Sequence, residues 1–247
     1  MQGLVTLDFG NTHPHAGLFH KLNGKWTLIR VVPFDELGSQ LRSLEMNPHN
    51  TSIVLCEVKS REDEIQKLIE EGYLLTRVKD YWKGSKFSGM PVNYTKSLGE
   101  DRLIEAFFSY KKYKIPTLII DAGTFVTMDV VSRTGFNGGY IIPGSKIYFE
   151  TFRHGEQLRD VQWALTPDEE LPSNTSEAIG AGYTAFVALA QNIVKTHTIE
   201  KILLTGGDMN NWRDFFQLIG MGDIVEEHPH LLHWGLHYWM TTQIEQL

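Results

Sequence analysis

The sequence reads Leu4-Val5-Thr6-Leu7-Asp8-Phe9-Gly10-Asn11-Thr12 near its start and Leu118-Ile119-Ile120-Asp121-Ala122-Gly123-Thr124 near its middle. In both stretches an apolar run, which predicts a buried strand, is followed by an Asp, a Gly two residues later and then a Thr. The two Asp residues are separated by about the length of one lobe of a two-lobed protein, so the repeat predicts a duplicated fold. Chance similarity is the alternative, because strand ends with Asp and Gly in the turn are common.

The segments around the two repeats predict strands that alternate with helices. Strands are predicted at 4–7, 16–22, 53–56, 73–78, 117–120, 127–131 and 201–204, and helices at 61–71, 100–113 and 175–195. Asn174, with Glu177 three residues later, forms the pattern of a capping box at the start of the last helix. This alternation predicts an α/β protein.

The composition limits the class of protein. With 42% apolar and 21% charged residues, the 247-residue chain has the make-up of a globular protein that buries a sizeable core. The net charge of −7 argues against a nucleic-acid partner, because phosphate backbones are bound by clustered Lys and Arg. Cys56 is the only cysteine, the first residues lack the pattern of a signal peptide, and no apolar run is long enough to span a bilayer. We therefore expect a cytoplasmic protein without membrane or nucleic-acid partners.

The two acidic turns have the residues that a triphosphate site needs. Asp8 supplies a carboxylate for a hydrated Mg²⁺, and Gly10 lets backbone N–H groups approach phosphate closely. Asn11 and Thr12 add neutral donors, and the turn from Asp121 to Thr124 is expected to approach the same phosphates from the second lobe. ATP is then expected between the lobes. The residues Thr205-Gly206-Gly207 after a strand suit a nucleoside lying against backbone, or form an ordinary turn.

Asp101 is the strongest candidate for a catalytic group. It lies at the start of a predicted helix, between Gly99 and Arg102. One interpretation is that it only complements the helix dipole; the other is that it orients a substrate hydroxyl and accepts its proton. The dipole weakens such a carboxylate as a base, but phosphoryl transfer depends chiefly on positioning and charge stabilisation. Arg102 is predicted either to bind a carboxylate of the acceptor or to form a surface ion pair.

Taken together, these motifs resemble those of the type III pantothenate kinases. The opening family pattern Asp-x-Gly-Asn-Thr, with a Gly five residues further on, matches Asp8 to Thr12 and Gly17, and Gly-x-Asp-Arg matches Gly99 to Arg102. The pattern Asp-x-Gly-Thr-x-x-Thr-x-Asp matches Asp121 to Asp129. Gly-Gly-x-Ile-x-Pro-Gly begins at Gly138 and Asn-Thr-x-x-Ala-Ile at Asn174, so the motifs extend over about three-quarters of the chain in the family's order.

The resemblance implies a duplicated actin-like (ribonuclease H-like) α/β fold with mixed sheets, with lobes at 1–114 and 115–247. It implies transfer of the ATP γ-phosphoryl group to the 4′-hydroxyl of pantothenate, the first committed step toward coenzyme A, in a homodimer. The implied ATP-phosphate residues are Asp8, Phe9, Gly10, Asn11, Thr12, His13, Pro14, His15 and Thr124. The implied pantothenate residues are Gly99, Glu100, Asp101, Arg102 and Thr175, with Asp101 as proton acceptor. Asp121 is implied to help bind a monovalent cation, K⁺ or NH₄⁺, and Asp8 to hold Mg²⁺ through water.

The chain departs from the family pattern at two places. Val92 occupies the position, seven residues before Gly99, where the family commonly has a substrate-contacting Tyr, and Tyr94 is the candidate replacement. The first turn continues as His13-Pro14-His15, and Pro14 removes one N–H from it.

Three alternatives stay open. Four histidines near the C-terminus, at positions 228, 230, 233 and 237, form either a metal site or, as we expect in the absence of a completing Cys or carboxylate pattern, surface and packing groups. The chain is otherwise another actin-like kinase or phosphatase with a different acceptor, or a non-catalytic regulator. A basic patch or recognition helix would favour the regulator, and the sequence shows neither.

Overall fold

The computed structural model of the chain describes residues 2–10, 13–58, 60–156, 158 and 171–244. In chain order its main elements are β1 (Gln2–Phe9), β2 (His15–Leu22), β3 (Lys25–Pro33), α1 (Leu37–Ser43), β4 (Thr51–Glu57), α2 (Glu62–Glu70), β5 (Leu74–Arg77), β6 (Lys86–Phe87), β7 (Met90–Pro91), α3 (Glu100–Lys112), β8 (Thr117–Ala122), β9 (Phe125–Ser132), β10 (Gly135–Pro143), α4 (Ser145–Phe152), α5 (Thr175–Thr196), β11 (Lys201–Thr205), α6 (Met209–Leu218), β12 (Val225–Glu227) and α7 (Leu231–Ile244). Every strand and helix predicted from the sequence is present, with ends shifted by at most two residues.

The chain divides into two compact units. The first contains residues 1–113, 134–136 and 230–247, and the second contains residues 114–133 and 137–229. The C-terminal helix α7 therefore belongs to the first unit, against α3 and β1. The predicted lobe limits at residues 114 and 115 stay a prediction.

The first unit is built on a five-stranded sheet of order β3-β2-β1-β4-β5. Strand β1 is antiparallel to β2 and parallel to β4. Because side chains alternate along a strand, Val5, Leu7 and Phe9 enter the core that contains Ile65 and Leu68 of α2. Thr6 and Asp8 consequently face the other side of the sheet, where α7 packs on β1.

The second unit repeats this arrangement with a sheet of order β10-β9-β8-β11-β12. Strand β8 is antiparallel to β9 and parallel to β11, as β1 is to β2 and β4. Its core packs residues of α5 and α6, such as Val187 and Trp212, against the strands. The shared strand order confirms the predicted duplicated fold with mixed sheets and argues against a chance similarity of the two acidic turns.

The start of α5 shows how the local sequence determines this fold. The side chain of Asn174 accepts a hydrogen bond of 3.0 Å from the N–H of Glu177, which confirms the predicted cap of α5. The carboxylate of Glu177 accepts in return from the N–H of Ser173 at 3.1 Å. Gly182, in an early turn of α5, has no room for a Cβ because the Tyr148 hydroxyl packs against it.

Among the described helices, none is both long and apolar enough for a bilayer crossing.

Candidate active site

Asp8 lies at the end of β1, where the strand runs into the first acidic turn. Its Oδ1 atom is buried and has no hydrogen-bond partner among the described residues, while Oδ2 is 4.0 Å from Nδ1 of His15. A Cβ at Gly10 would approach the Asp8 carboxylate to 3.2 Å, so a larger residue would crowd it. A buried carboxylate oxygen without a donor is suited to a hydrated cation. Asn11 and Thr12 lie outside the described residues, whereas His13 and Pro14 lie between β1 and β2.

Asp101 lies in the first turn of α3, after the N-cap residue Gly99. Its Oδ1 atom accepts a hydrogen bond of 2.8 Å from the N–H of Arg102. A Cβ at Gly99 would collide with this same oxygen. The glycine of the Gly-x-Asp-Arg motif thus makes room for the carboxylate over the helix N-terminus, where the dipole favours its charged form.

Cys56 lies near both Asp8 and Asp101 within the first unit. It pairs with Asp8 across the parallel strands β1 and β4. Complete burial raises the pKa of its thiol well above the usual value, and the negative charges of Asp101, Asp8, Glu100 and Glu105 raise it further. Carboxylates from the β1 turn and from α3 therefore converge around one buried thiol.

Glu100 is the first residue of α3, and only 9% of it is exposed. Its Oε2 atom accepts a hydrogen bond of 3.0 Å from the backbone N–H of Glu57, the last residue of β4. Burial raises the pKa of Glu100 to about 7, and the charges of Glu57 and Asp101 also act in that direction. The Glu57 hydrogen bond and Lys79 oppose the rise. Glu100 thus carries a proton that it exchanges near neutral pH.

Arg102 is buried, which excludes its interpretation as a surface group. The centre of its guanidinium group lies 5.4 Å from the ring centroid of Tyr94 and 5.9 Å from that of Phe136. The two rings meet edge to face, with centroids 5.8 Å apart. Val92 is buried and forms a backbone bridge to Phe136, so Tyr94 is the tyrosine beside Arg102. Stacking on two rings fixes a planar cation that is able to bind a carboxylate.

The second acidic turn occupies the matching position of the second sheet. Asp121 pairs with Thr205 of β11 and with Thr127 of β9. Gly206 adopts a positive φ of 90° and packs so closely on Asp121 and Ala122 that a Cβ would overlap both residues. Thr124 is exposed at the turn, and its carbonyl accepts a 3.0 Å hydrogen bond from the N–H of Gly144. The Asp121 turn, the Gly206 turn and the Gly144 turn therefore form one edge of the second unit.

Thr175 is also exposed, as the first residue of α5. Its hydroxyl stands at a helix N-terminus, a position that favours anionic ligands.

The C-terminal histidines pack against other groups. Nδ1 of the buried His233 lies 2.8 Å from Oγ1 of Thr6, and His237 stacks on Phe19 with centroids 4.7 Å apart. Nε2 of His228 lies 2.9 Å from Glu226, while His230 directly precedes α7. Within the described ranges no group of three or more His, Cys, Asp and Glu side chains has the arrangement of a metal site. His228, His233 and His237 thus contact side chains of the protein itself, and their role stays a prediction.

Two features of this site were not predicted from the sequence. Phe136, at the start of β10, reaches Arg102, and Glu57 anchors Glu100. Neither residue belongs to a motif, and each contacts a residue that is distant from it in the sequence. No local signal identifies them.

Three features define the class of this protein. The two sheets have the same strand order, the first strand of each sheet ends in a turn that contains Asp and Gly, and a carboxylate lies at the N-terminus of a helix. It is a duplicated α/β protein with a candidate phosphoryl-transfer site.

Comparisons with known proteins identify the family. A family model described as type III pantothenate kinase matches residues 4–196. The type III pantothenate kinase of Syntrophobacter fumaroxidans is 29% identical over 225 residues, which cover 83% of this chain and 86% of the relative. That of Nocardia farcinica is 28% identical over 257 residues, covering 94% and 95%. The chain belongs to the type III pantothenate kinase family.

Solved structures support the fold. A Campylobacter jejuni protein described as a Baf family transcriptional activator matches with a TM-score of 0.61 at 21% identity, over 98% of this chain and 100% of that one. A Sinorhizobium meliloti protein described as a 2-dehydro-3-deoxygalactonokinase matches with a TM-score of 0.57 at 10% identity, over 96% and 97%. At these identities the likeness concerns the fold alone.

Proposed function

We propose that this protein is a pantothenate kinase, which transfers the γ-phosphoryl group of ATP to the 4′-hydroxyl of pantothenate in the synthesis of coenzyme A. Family membership supports the reaction and the substrate. The observation that carries the proposal is the convergence of Asp8 and Asp101 around Cys56. One carboxylate at a phosphate turn and another at a helix N-terminus are the two acidic groups that this reaction uses.

In the proposed reaction Asp101 orients the 4′-hydroxyl of pantothenate and accepts its proton. The hydroxyl oxygen forms a bond to the γ-phosphorus, and the bond from that phosphorus to the bridging oxygen of ADP breaks. Arg102, held between Tyr94 and Phe136, binds the carboxylate of pantothenate. The products are 4′-phosphopantothenate and ADP, and the proton on Asp101 returns to solvent.

Asp8 is the proposed holder of Mg²⁺, through a water molecule. The buried Oδ1 atom of Asp8, which has no hydrogen-bond partner among the described residues, fits this role, because Mg²⁺ usually keeps several waters and takes few protein carboxylates. When bound, the ion would neutralise charge on the triphosphate. Besides Asp8, the proposed phosphate-binding residues are Phe9, Gly10, Asn11, Thr12, His13, Pro14, His15 and Thr124, of which Asn11 and Thr12 lie outside the described residues.

The remaining assignments follow the family pattern. Asp121 is proposed to help bind K⁺ or NH₄⁺; the Oγ1 atom of its cross-strand partner Thr127 is buried without a described hydrogen-bond partner, which suits an oxygen-lined cation site. Gly99, Thr175 and the main chain of Glu100, whose carboxylate is directed at β4, complete the proposed pantothenate residues. A cytoplasmic homodimer is the proposed form of the protein.

The test is ATP turnover with pantothenate, with and without K⁺, for the wild type and Asp101→Asn. We expect the wild type to form 4′-phosphopantothenate, and the variant to lose about two to four orders of magnitude in kcat with a small change in KM. Asp63→Asn, which removes an exposed carboxylate from the first turn of α2, is the matched control and should keep full activity. Turnover without pantothenate, or full activity of Asp101→Asn, would contradict the proposal.

A further inference from the structure

Glu100 occupies an unusual position for an acidic residue. It is the variable residue of Gly-x-Asp-Arg, yet it is buried and its Oε2 atom accepts from the N–H of Glu57 at 3.0 Å. The side chain therefore points from the first turn of α3 to the end of β4. Strand β4 pairs with β1 up to Glu57 and Phe9, so this hydrogen bond joins the helix that bears Asp101 to the sheet that bears Asp8.

The charges around Glu100 come from three elements besides its own. From β4, Glu57 faces it with a side chain whose Oε2 atom is paired with Nζ of Lys79 at 2.8 Å. Lys79 belongs to the short helical turn of residues 78–81. From β1, Asp8 shares with Glu100 the surroundings of Cys56, and Asp101 is its neighbour on α3. The cation that acts on Glu100 is thus already paired with Glu57, and the remaining neighbours are acidic.

We propose that Glu100 is a positioning residue for Asp101: its hydrogen bond to Glu57 fixes the first turn of α3 on β4, and its negative charge strengthens Asp101 as a proton acceptor. This inference rests on the proposed function. It gives Glu100 an indirect role, since the carboxylate is directed at β4.

The second half of the proposal answers a difficulty of the mechanism. A carboxylate at a helix N-terminus is stabilised in its charged form by the dipole, which makes it a weak base. A second carboxylate on the adjacent residue repels that charge and raises the proton affinity of its neighbour. The repulsion is present only when Glu100 is ionised, which begins near neutral pH because burial raises its pKa to about 7.

The experiment compares the wild type with Glu100→Gln. Glutamine keeps an oxygen that accepts from the Glu57 N–H, so the anchor remains while the charge is lost. We expect kcat of the wild type to rise through an inflection near pH 7, and kcat of the variant at pH 8 to be roughly three- to tenfold lower and without that inflection, at an unchanged KM for pantothenate. Glu100→Ala removes the anchor as well and should lose more in kcat than Glu100→Gln.

The control is Glu70→Gln, which neutralises an exposed carboxylate at the end of α2 and should follow the wild-type pH profile. A wild type without an inflection near pH 7, or a Glu100→Gln variant with the wild-type rate and profile, would overturn the inference. The wild-type profile is decisive even where a variant folds poorly. Failure of the proposed function looks different, because the wild type would then not phosphorylate pantothenate at any pH.

Discussion

The imidazole Nδ1 of His233 and the hydroxyl Oγ1 of Thr6 lie 2.8 Å apart, so the C-terminal helix is hydrogen bonded to the first strand of the chain. The Thr6 hydroxyl also donates to the carbonyl of Gly17 at 3.3 Å. Since the hydroxyl has a single hydrogen, it accepts from His233, whose Nδ1 carries the proton. Asp8 lies two residues further along the same face of β1. The geometry of the first acidic turn is thus linked to α7.

Replacement of His233 is expected to change how stability depends on pH. Burial lowers its pKa to about 4 from a usual value of 6.5, so between these values the unfolded chain takes up a proton that the native protein does not. The stabilising effect of the neutral ring is complete above pH 6.5 and declines as the pH falls toward 4, by at most about 3 kcal/mol. Urea unfolding of His233→Asn at pH 5 and pH 7.5 should show a smaller acid loss than the wild type. An equal loss in both proteins would contradict the assignment to His233.

Gly17→Ala should be destabilising because the site is full. A Cβ there would lie 2.5 Å from Oγ1 of Thr6 and 2.8 Å from Nδ1 of His233. Overpacking of this kind costs about 1–3 kcal/mol in the free energy of unfolding. In the background of His233→Ala the cost should fall, because half of the obstruction is gone. A double-mutant cycle measured by chemical denaturation checks this; strictly additive effects would be evidence against the contact.

Tyr94→Ala is expected to raise KM for pantothenate while kcat changes less. The ring contacts the guanidinium of Arg102, and its loss removes one of the two aromatic contacts of this proposed carboxylate-binding group. A cation–π contact of this kind is worth about 0.5–2 kcal/mol, or roughly a two- to thirtyfold change in affinity. Tyr94→Phe keeps the ring face and serves as the control. If Phe and Ala had the same effect, the hydroxyl, and not the stacking, would be the relevant group.

Glu100→Gln should stabilise the protein in mildly alkaline solution although it slows the reaction. The native pKa of Glu100 is raised to about 7 from 4.5, so in this window the unfolded chain has released a proton that the native protein retains. Stability therefore falls as the pH rises from about 4.5 to 7 and then stays level, with a loss of at most about 3 kcal/mol. Thermal unfolding at pH 8 should show a higher midpoint for the variant than for the wild type. A lower midpoint would mean that the ionised carboxylate is stabilising.

Asp8→Asn should raise the Mg²⁺ concentration needed for half-maximal activity. The substitution removes the charge of the buried carboxylate but keeps its shape, so the main loss is attraction for the hydrated cation. We expect a shift of tenfold or more, together with a lower kcat. Mg²⁺ titration at saturating ATP is the measurement, with Asp63→Asn as the control. An unchanged titration curve would remove Asp8 from the proposed metal site.

The sequence predicted those parts of the fold that short-range patterns encode. The hairpin of β1 and β2 is an apolar run, a polar turn and a second apolar run, and its antiparallel register is present. The start of α5 is given by Asn174 and Glu177, which form the expected cap. Strand β3 and helix α7 were not predicted. Strand β3 consists mainly of exposed and half-buried residues, so its sequence lacks the apolar run of a buried strand. Helix α7 has aromatic and histidine residues on all sides, so its sequence does not indicate which face is buried.

For the candidate active site, sequence motifs predicted which residues belong to it but not the residues that surround them. Asp101 and Arg102 could be named from Gly-x-Asp-Arg. The surroundings of Arg102 could not, because Tyr94 precedes it in a loop and Phe136 reaches it from the start of β10. The same holds for Glu100, whose proton affinity depends on Glu57. Such contacts are determined by tertiary packing, and no periodic pattern in the sequence predicts them.

The reactivity of Cys56 reports on local opening of the native protein. The thiolate is the form that reacts with alkylating reagents, and here it is disfavoured twice, by complete burial and by the surrounding carboxylates. Because the chain has no other sulfhydryl, the rate at which iodoacetamide consumes it measures how often β4 separates from β1 and α3. Alkylation of Cys56 can thus measure local opening around Asp8 and Asp101 without any engineered probe.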